Sequence, residues 1–134
     1  MPQAVQTYGV SRETGGIDDL MTAYQYKKNG PVVNSEGSWC KGSWFCSIIA
    51  VFQKATVEAS GFNLLKIYPV GGKPEEIKFE KNSNPYFNEI AYFAECILKD
   101  RDPEQCLPQS TRNSIRIAAA EERSARSRRK IRLG

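Results

Sequence analysis

The residue types that carry out most enzyme chemistry are scarce in this chain of 134 residues. It contains no histidine, which excludes Ser-His-Asp and Cys-His catalysis as well as histidine-ligated zinc. The four cysteines, Cys40, Cys46, Cys96 and Cys106, include no Cys-x-x-Cys pair, so neither a thioredoxin-type redox motif nor a zinc knuckle is predicted. We therefore predict no catalytic, cofactor-binding or metal-ligating residue in this chain.

Three other patterns resemble catalytic motifs but have structural explanations. Tyr24-x-x-x-Lys28 has the spacing of the Tyr/Lys pair of short-chain dehydrogenases, yet here it lies on a predicted strand, and the chain has no Gly-x-Gly-x-x-Gly loop. Gly71-Gly72-Lys73-Pro74 opens no predicted helix and is typical of a hairpin turn rather than a phosphate loop. Glu89 and Glu95 are six residues apart on a predicted helix, so their carboxylates point to different faces.

The sequence predicts a cytoplasmic protein with free thiols. Its N-terminus has neither a basic start nor an apolar core of the kind found in signal peptides. The longest apolar run, Ile48 to Phe52, is far too short to span a bilayer. In a reducing compartment four free cysteines are expected rather than two disulfides.

Basic charge is concentrated at the C-terminal end. Six of the 19 basic residues lie in the last twelve positions, which contain no acid, so the rest of the chain carries 13 basic and 15 acidic residues. A nucleic-acid-binding domain is normally basic over a whole face. The arginines instead favour the negative end of a helix dipole, and nucleic-acid binding is not expected.

Strand signals fill the first two-thirds of the chain. Side chains alternate along a strand, so Leu20 to Lys27 places Tyr24 and Tyr26 on one face. Asn29 and Gly30 both tolerate positive φ, which predicts a hairpin turn after that strand. The predicted strands are Ala4 to Val10, Leu20 to Lys27, Val32 to Trp39, Phe45 to Gln53, Thr56 to Ser60, Leu64 to Val70 and Glu75 to Glu80.

The segment Phe45 to Gln53 differs from the other strands because it is apolar on both faces. Ile48 and Ala50 lie on one face, whereas Ile49 and Val51 lie on the other. This pattern predicts a central strand that is covered on both sides.

Two helices follow the strands. Asn84-Pro85 predicts a cap with proline at the first helical position, and an amphipathic stripe runs from there to about Asp100. A second helix is predicted from a cap at Ser110 or Thr111 to about Arg128, with a short terminal strand after it. Antiparallel strands followed by helices, without βαβ alternation, predict an α+β fold: a mainly antiparallel, open-faced sheet with two C-terminal helices packed on one face. We expect one domain spanning residues 1–134.

The two helical segments resemble those of a known family. The run Asn84-Pro85-Tyr86-Phe87-Asn88-Glu89-Ile90-Ala91-Tyr92-Phe93-Ala94-Glu95-Cys96-Ile97 resembles a helix in the C-terminal domain of the glucose–fructose oxidoreductase / inositol dehydrogenase (GFO/IDH/MocA-type) family. Ser110 to Ala125 is similar to the next helix of that domain. Upstream, Val5, Asp18-Asp19, Asn29-Gly30 and Glu36-Gly37-Ser38-Trp39 are similar to its first three strands, so the resemblance covers nearly the whole chain.

The resemblance implies a part of an NAD(P)-dependent oxidoreductase that acts on sugars, polyols or related compounds. In that family an N-terminal Rossmann domain carries the glycine-rich loop, a Glu-Lys-Pro motif and an Asp-x-x-x-His pair. The single Glu-Lys here, Glu80-Lys81, is followed by Asn82, and histidine is absent. We therefore expect a substrate-side and assembly domain that is inactive alone, with NAD or NADP implied only for a full-length protein.

The sequence also predicts assembly. Two helices cover one face of a sheet, so the other face is left open, and similar domains of the family pair through it. We expect a homodimer with Tyr24, Tyr26, Ile49 and Val51 at the interface, or a monomer whose open face is wetted by polar residues. The alternative function is a free-standing dimeric binding or interaction module of the same fold without catalysis.

Overall fold

The computed structural model describes residues 1–61, 63–79, 84–105 and 107–134. Within these ranges both helices follow the first seven strands, and every strand pairing is antiparallel, which confirms the predicted α+β class. The strands are β1 (Ala4–Val10), β2 (Asp19–Gln25), β3 (Val33–Ser38), β4 (Ser47–Val51), β5 (Ala55–Ser60), β6 (Leu64–Pro69), β7 (Glu75–Lys78) and β8 (Ile131–Arg132). The helices are α1 (Pro85–Leu98) and α2 (Pro108–Ser127).

The chain divides into two compact units. Residues 1–42 and 103–134 form the first, which contains a sheet of order β3-β2-β1-β8 and helix α2. Residues 43–102 form the second, with a sheet of order β4-β5-β6-β7 and helix α1. The expectation of one domain over residues 1–134 stays a prediction.

The first sheet contains the hairpin that the sequence predicts. The predicted turn between β2 and β3 is present: Asn29 has φ 66°, and the Gly30 N–H donates to the Lys27 carbonyl at 2.8 Å. β8 pairs only with the start of β1, at Ala4 and Val5. From Thr7 onward, therefore, β1 has a strand neighbour on one side only within the part of the chain that the structure describes.

Helix α2 packs against β1, and the core of the first unit lies between them. The fully buried side chains include Val5 and Thr7 of β1, Thr22 of β2 and Ser124 of α2. Gly9 permits this close approach because a Cβ there would lie 2.6 Å from Ile17 Cγ2 and 3.5 Å from the Ala125 Cβ.

Strand β4 is an edge strand. Among the described residues it pairs with β5 alone, so the prediction that Phe45 to Gln53 forms a central strand is wrong for this chain by itself. Its apolar character on both faces shows that β4 is suited to burial, but the residue pattern does not say which strand will lie beside it.

The two faces of the second sheet differ in polarity. One face carries apolar side chains from all four strands: Ile48, Ala50, Val57, Ala59, Leu65, Ile67 and Ile77. The other carries an ion pair between Lys66 and Glu76 at 3.3 Å and a hydrogen bond from the Tyr68 hydroxyl to Glu58 at 3.4 Å.

Helix α1 begins where its cap predicts. Asn84 Oδ1 accepts hydrogen bonds from the backbone N–H groups of Tyr86 and Phe87, at 3.0 and 3.3 Å, and Pro85 is the first helical residue. The apolar stripe of α1 is exposed, whereas Cys96 on another side is buried.

Helix α2 begins at Pro108, earlier than the predicted cap at Ser110 or Thr111. Proline suits the first helical position because its φ is already helical and its missing N–H would have no intrahelical partner there. Leu107 lies at the N-cap position, and its side chain forms no capping hydrogen bond. Neither described helix is long and apolar enough to cross a membrane.

Candidate functional site

The candidate site extends from the face of the first sheet that α2 does not cover to the C-terminal end of α2. Strand register places Tyr8, Met21 and Glu36 in one row across β1, β2 and β3. The next row toward the end of β1 contains Val10, Asp19 and Ser38. Tyr8 is 59% exposed and Met21 40%, so both side chains offer apolar surface on this face.

These rows form the floor of an open groove of about 680 Å3. The floor is apolar and aromatic, whereas the rim carries charges of both signs. Acidic residues contribute from the β2 and β3 side, and Lys41 and Arg128 contribute the basic groups. The groove is lined by Thr7, Tyr8, Gly9, Val10, Asp19, Leu20, Met21, Glu36, Gly37, Ser38, Lys41, Ala125 and Arg128.

A buried carboxylate, Asp18, shapes the loop beside the groove. Its Oδ2 accepts the backbone N–H groups of Arg12, Glu13 and Thr14 at 2.6, 2.8 and 3.2 Å, and its Oδ1 accepts the Thr14 hydroxyl. The Thr14 hydroxyl, followed by these backbone donors, holds the pKa of Asp18 well below its ordinary value. Residues 11–17 are therefore folded around an ionised carboxylate.

Asp19, next in the chain, faces the opposite way and lies at the groove rim. The Ser38 hydroxyl donates to its Oδ1, and Arg12 Nε donates to its Oδ2. The Ser38 hydrogen bond, with that of Arg12, lowers the pKa of Asp19. Both oxygens thus have protein donors, so Asp19 connects β2, β3 and the 11–17 loop.

Tyr24 lies on the face that α2 covers, rather than on the open face where the sequence-based assignment placed it. Its hydroxyl bonds to Glu121 Oε1 of α2 at 2.5 Å and to Ser35 Oγ at 2.7 Å. Burial, reinforced by the Glu121 carboxylate, raises the pKa of Tyr24. The alternation that groups Thr22 with Tyr24 is observed, but it does not reveal which side the helix occupies.

The other three candidate interface residues are spread over both units. Tyr26 is half-buried, lies just beyond β2 and lines a second groove of about 450 Å3. Ile49 and Val51 are exposed on β4, on the same sheet face as Glu58 and Lys66. Tyr24 and Tyr26 thus belong to the first unit and Ile49 and Val51 to the second, and the interface role of all four stays a prediction.

The residues that the sequence analysis missed are Tyr8, Met21 and Val10. The available signal was the alternation of β1, which places Val5, Thr7 and Gly9 on one face and Gln6, Tyr8 and Val10 on the other. Small and β-branched residues on the first face leave room for a helix, which is where α2 packs.

The cysteines and carboxylates in the described ranges were the remaining candidates for metal binding. The described part of the chain has no group of three or more Cys, Asp or Glu side chains that could hold a metal ion. Cys40, Cys46 and Cys96 are free thiols. Cys106 lies outside the described residues, so the expectation of four free thiols stays a prediction.

Comparison with known proteins identifies the fold. No protein-family model and no curated protein matches the chain. Its structure is similar to that of the WlbA dehydrogenase from Bordetella pertussis, crystallised in complex with NADH and UDP-GlcNAcA, with a TM-score of 0.64 and 22% sequence identity. The similarity covers 99% of this chain but 39% of that one, so the chain spans about two-fifths of the dehydrogenase's length. At this identity the chain shares a fold with part of a dehydrogenase.

Proposed function

We propose that this chain is the C-terminal domain of an NAD(P)-dependent oxidoreductase that acts on sugars, polyols or related compounds. One observation carries the proposal: almost the entire chain has the fold of a portion of a dehydrogenase that binds NADH and a nucleotide-linked sugar acid. The resemblance of the segments at α1 and α2 to GFO/IDH/MocA-type proteins points the same way. In this role the chain supplies substrate-side walls and contacts between subunits.

Cofactor binding belongs to another part of the polypeptide in this proposal. A dinucleotide pyrophosphate is held by a glycine-rich turn that leads into a helix N-terminus. Here α1 begins with Asn84-Pro85, where the Asn84 side chain already accepts the first free N–H groups, and α2 begins with Leu107-Pro108. We therefore expect the chain alone to bind neither NAD(H) nor NADP(H) and to transfer no hydride.

Two measurements test this function together. An antibody against the chain should detect, in its native cells, a protein more than twice as long, and that protein should oxidise or reduce NAD(P)(H) with a sugar-type substrate at 340 nm. Isothermal titration of the chain alone with NADH and NADPH should give no saturable heat. A native protein of 15.1 kDa without dehydrogenase activity would contradict the proposal.

The second candidate is a free-standing dimeric binding or interaction module. It is favoured by the exposure of Tyr8 and Met21 on the floor of the groove, because an apolar floor rimmed by polar and charged residues is typical of an interaction site. In either candidate we propose a homodimer through the open face of the first sheet. Glu36 and Arg128 both line the groove, so a two-fold axis through it offers each copy a residue of opposite charge to pair with.

A further inference from the structure

Among the described residues, strand β4 has an unpaired backbone edge, and its geometry can be read from the hydrogen bonds to β5. The Phe52 N–H donates to the Ala55 carbonyl, and the Gly61 N–H donates to the Cys46 carbonyl, both at 2.8 Å. Hydrogen-bonded pairs alternate along an antiparallel ladder, so Ile48 and Ala50 also direct their N–H and C=O groups toward β5. Ser47, Ile49 and Val51 therefore direct theirs to the free edge.

This edge lacks the features that protect the other three sheet edges in the described structure. β7, at the far side of the same sheet, carries three charges in four residues, Glu75, Glu76 and Lys78. β8 is only two residues long, and β3 is mostly polar and contains Glu36. β4, in contrast, reads Ser-Ile-Ile-Ala-Val, with no charge, proline or glycine. Unprotected edges of this type pair with other strands.

The sequence pattern and the observed position of β4 disagree, and a strand paired to the free edge would place β4 in the interior of a sheet. A strand that is apolar on both faces is typical of the interior of a sheet. In the chain alone, however, Ile48 and Ile49 are each 66% exposed and Val51 is 78% exposed.

We propose that β4 pairs edge to edge with β4 of a second copy of this chain, in antiparallel orientation about a two-fold axis at Ile49. The strand is self-complementary in this arrangement because the outward-facing positions pair with one another: Ser47 lies opposite Val51, and Ile49 lies opposite itself. About six backbone hydrogen bonds form across the axis, since each such pair exchanges two. The two sheets then join into one continuous sheet of eight strands.

The exposed area supports a second copy as the occupant. Trp44, Phe45 and Phe52, which flank β4, are 70%, 59% and 62% exposed. An aromatic side chain offers about 150–250 Å2, so these three expose on the order of 400 Å2. Edge-to-edge pairing buries the parts of these side chains, and of those on β4, that face the second copy, whereas a standard interface buries roughly 800 Å2 per partner. This pairing does not depend on the oxidoreductase assignment.

A pair of substitutions at position 49 tests the hydrogen bonding. Ile49→Pro removes an outward N–H while leaving the bonds to β5, and proline is compatible with an edge strand. Ile49→Ala removes a similar part of the side chain but keeps the N–H. In light scattering, I49P should halve the mass of the assembly, whereas I49A should retain it. Equal effects of the two variants, or a monomeric parent chain, would overturn the proposal.

A cross-linking pair tests the register and does not depend on tolerance of proline. In a background with Cys40→Ser and Cys46→Ser, Ile49→Cys should form a reducible dimer on mild oxidation, because Cα atoms opposite each other at the axis lie about 5.5 Å apart. Val51→Cys, on the same sheet face, should not, since its two copies are separated by about 13 Å along the strand. Cross-linking of V51C but not I49C, or of neither variant, would contradict this pairing.

Discussion

Asp18 is the residue with the most hydrogen bonds to its own loop, and its pKa makes the fold sensitive to acid. The pKa of Asp18 in the folded state lies below its unfolded value of about 3.8. The ionised carboxylate therefore stabilises the folded state above pH 3.8, and this stabilisation is lost as the pH falls toward the pKa of the folded state. Asp18→Asn removes the charge and replaces an acceptor oxygen with an amide nitrogen. We expect trypsin to cleave faster after Arg12, and the unfolding midpoint to depend less on pH between 5 and 2 than in the parent.

The control for this experiment is Asp102→Asn, which changes an exposed carboxyl outside the 11–17 loop. It should leave both the cleavage rate after Arg12 and the acid dependence unchanged. Equal acid dependence in D18N and the parent would show that Asp18 does not hold this loop.

Tyr24 provides the second prediction for a single residue. Tyr24→Phe removes the hydroxyl that bonds to Glu121 and Ser35, which should lower the free energy of unfolding by about 1 kcal/mol. The pKa of Tyr24 is raised in the folded state. The contribution of its hydroxyl to the free energy of unfolding is therefore present below about pH 10, and it is lost as the pH rises through the pKa of the folded state. Titration of Y24F by absorbance at 295 nm should lose a tyrosine whose pKa lies above the ordinary value. An unchanged titration curve would contradict this placement.

At the scale of elements, Ser124 joins the end of α2 to the edge of β1. Its Oγ accepts the Thr7 N–H at 2.9 Å and donates to the Arg129 carbonyl at 2.6 Å. β8 does not extend as far as Thr7, so the Ser124 hydroxyl accepts the Thr7 N–H in place of a strand carbonyl. Ser124→Ala leaves two backbone groups unpaired at a buried site, and we expect a loss of about 2 kcal/mol in urea unfolding.

Ser127→Ala is the matched control on the same helix. Its exposed hydroxyl bonds only to the Arg123 carbonyl within α2, at 2.7 Å, so its removal should change the free energy of unfolding by less than about 0.5 kcal/mol. Similar losses for the two serine variants would show that the hydroxyl of Ser124 does not connect α2 to β1.

At the scale of the whole molecule, the open face of the first sheet predicts assembly. Tyr8→Glu places a carboxylate in the proposed contact and should lower the dimer mass measured by light scattering, while the far-ultraviolet circular dichroism stays unchanged. Val32→Glu makes a similar change in a fully exposed turn outside the groove and should leave the mass unaltered. Equal masses for Y8E and the parent would contradict a dimer through this face and leave the pairing at β4 to be judged by its own variants.

Local chemistry is enough to predict much of the secondary structure. The bounds of β1, the turn at Asn29-Gly30 and the start of α1 at Asn84-Pro85 all match, because alternation, positive φ and side-chain capping involve residues that are neighbours in sequence. The same holds for the α+β class, which follows from strands without intervening helices. The sequence also predicted that one face of the sheet is open, but it did not predict which residues lie on that face.

Tertiary structure decided which face is covered and which strands are neighbours. Alternation groups Thr22 with Tyr24 and Tyr8 with Val10, but either group could face a helix until the side chains of α2 meet the small residues of β1. In the same way, the apolar pattern of β4 determines that the strand is suited to burial, while its partner depends on contacts between distant segments or between chains. The alternation of apolar and polar side chains depends only on residues that are neighbours in sequence. Burial of a sheet face depends on a helix or strand from elsewhere, which only folding or assembly brings into contact.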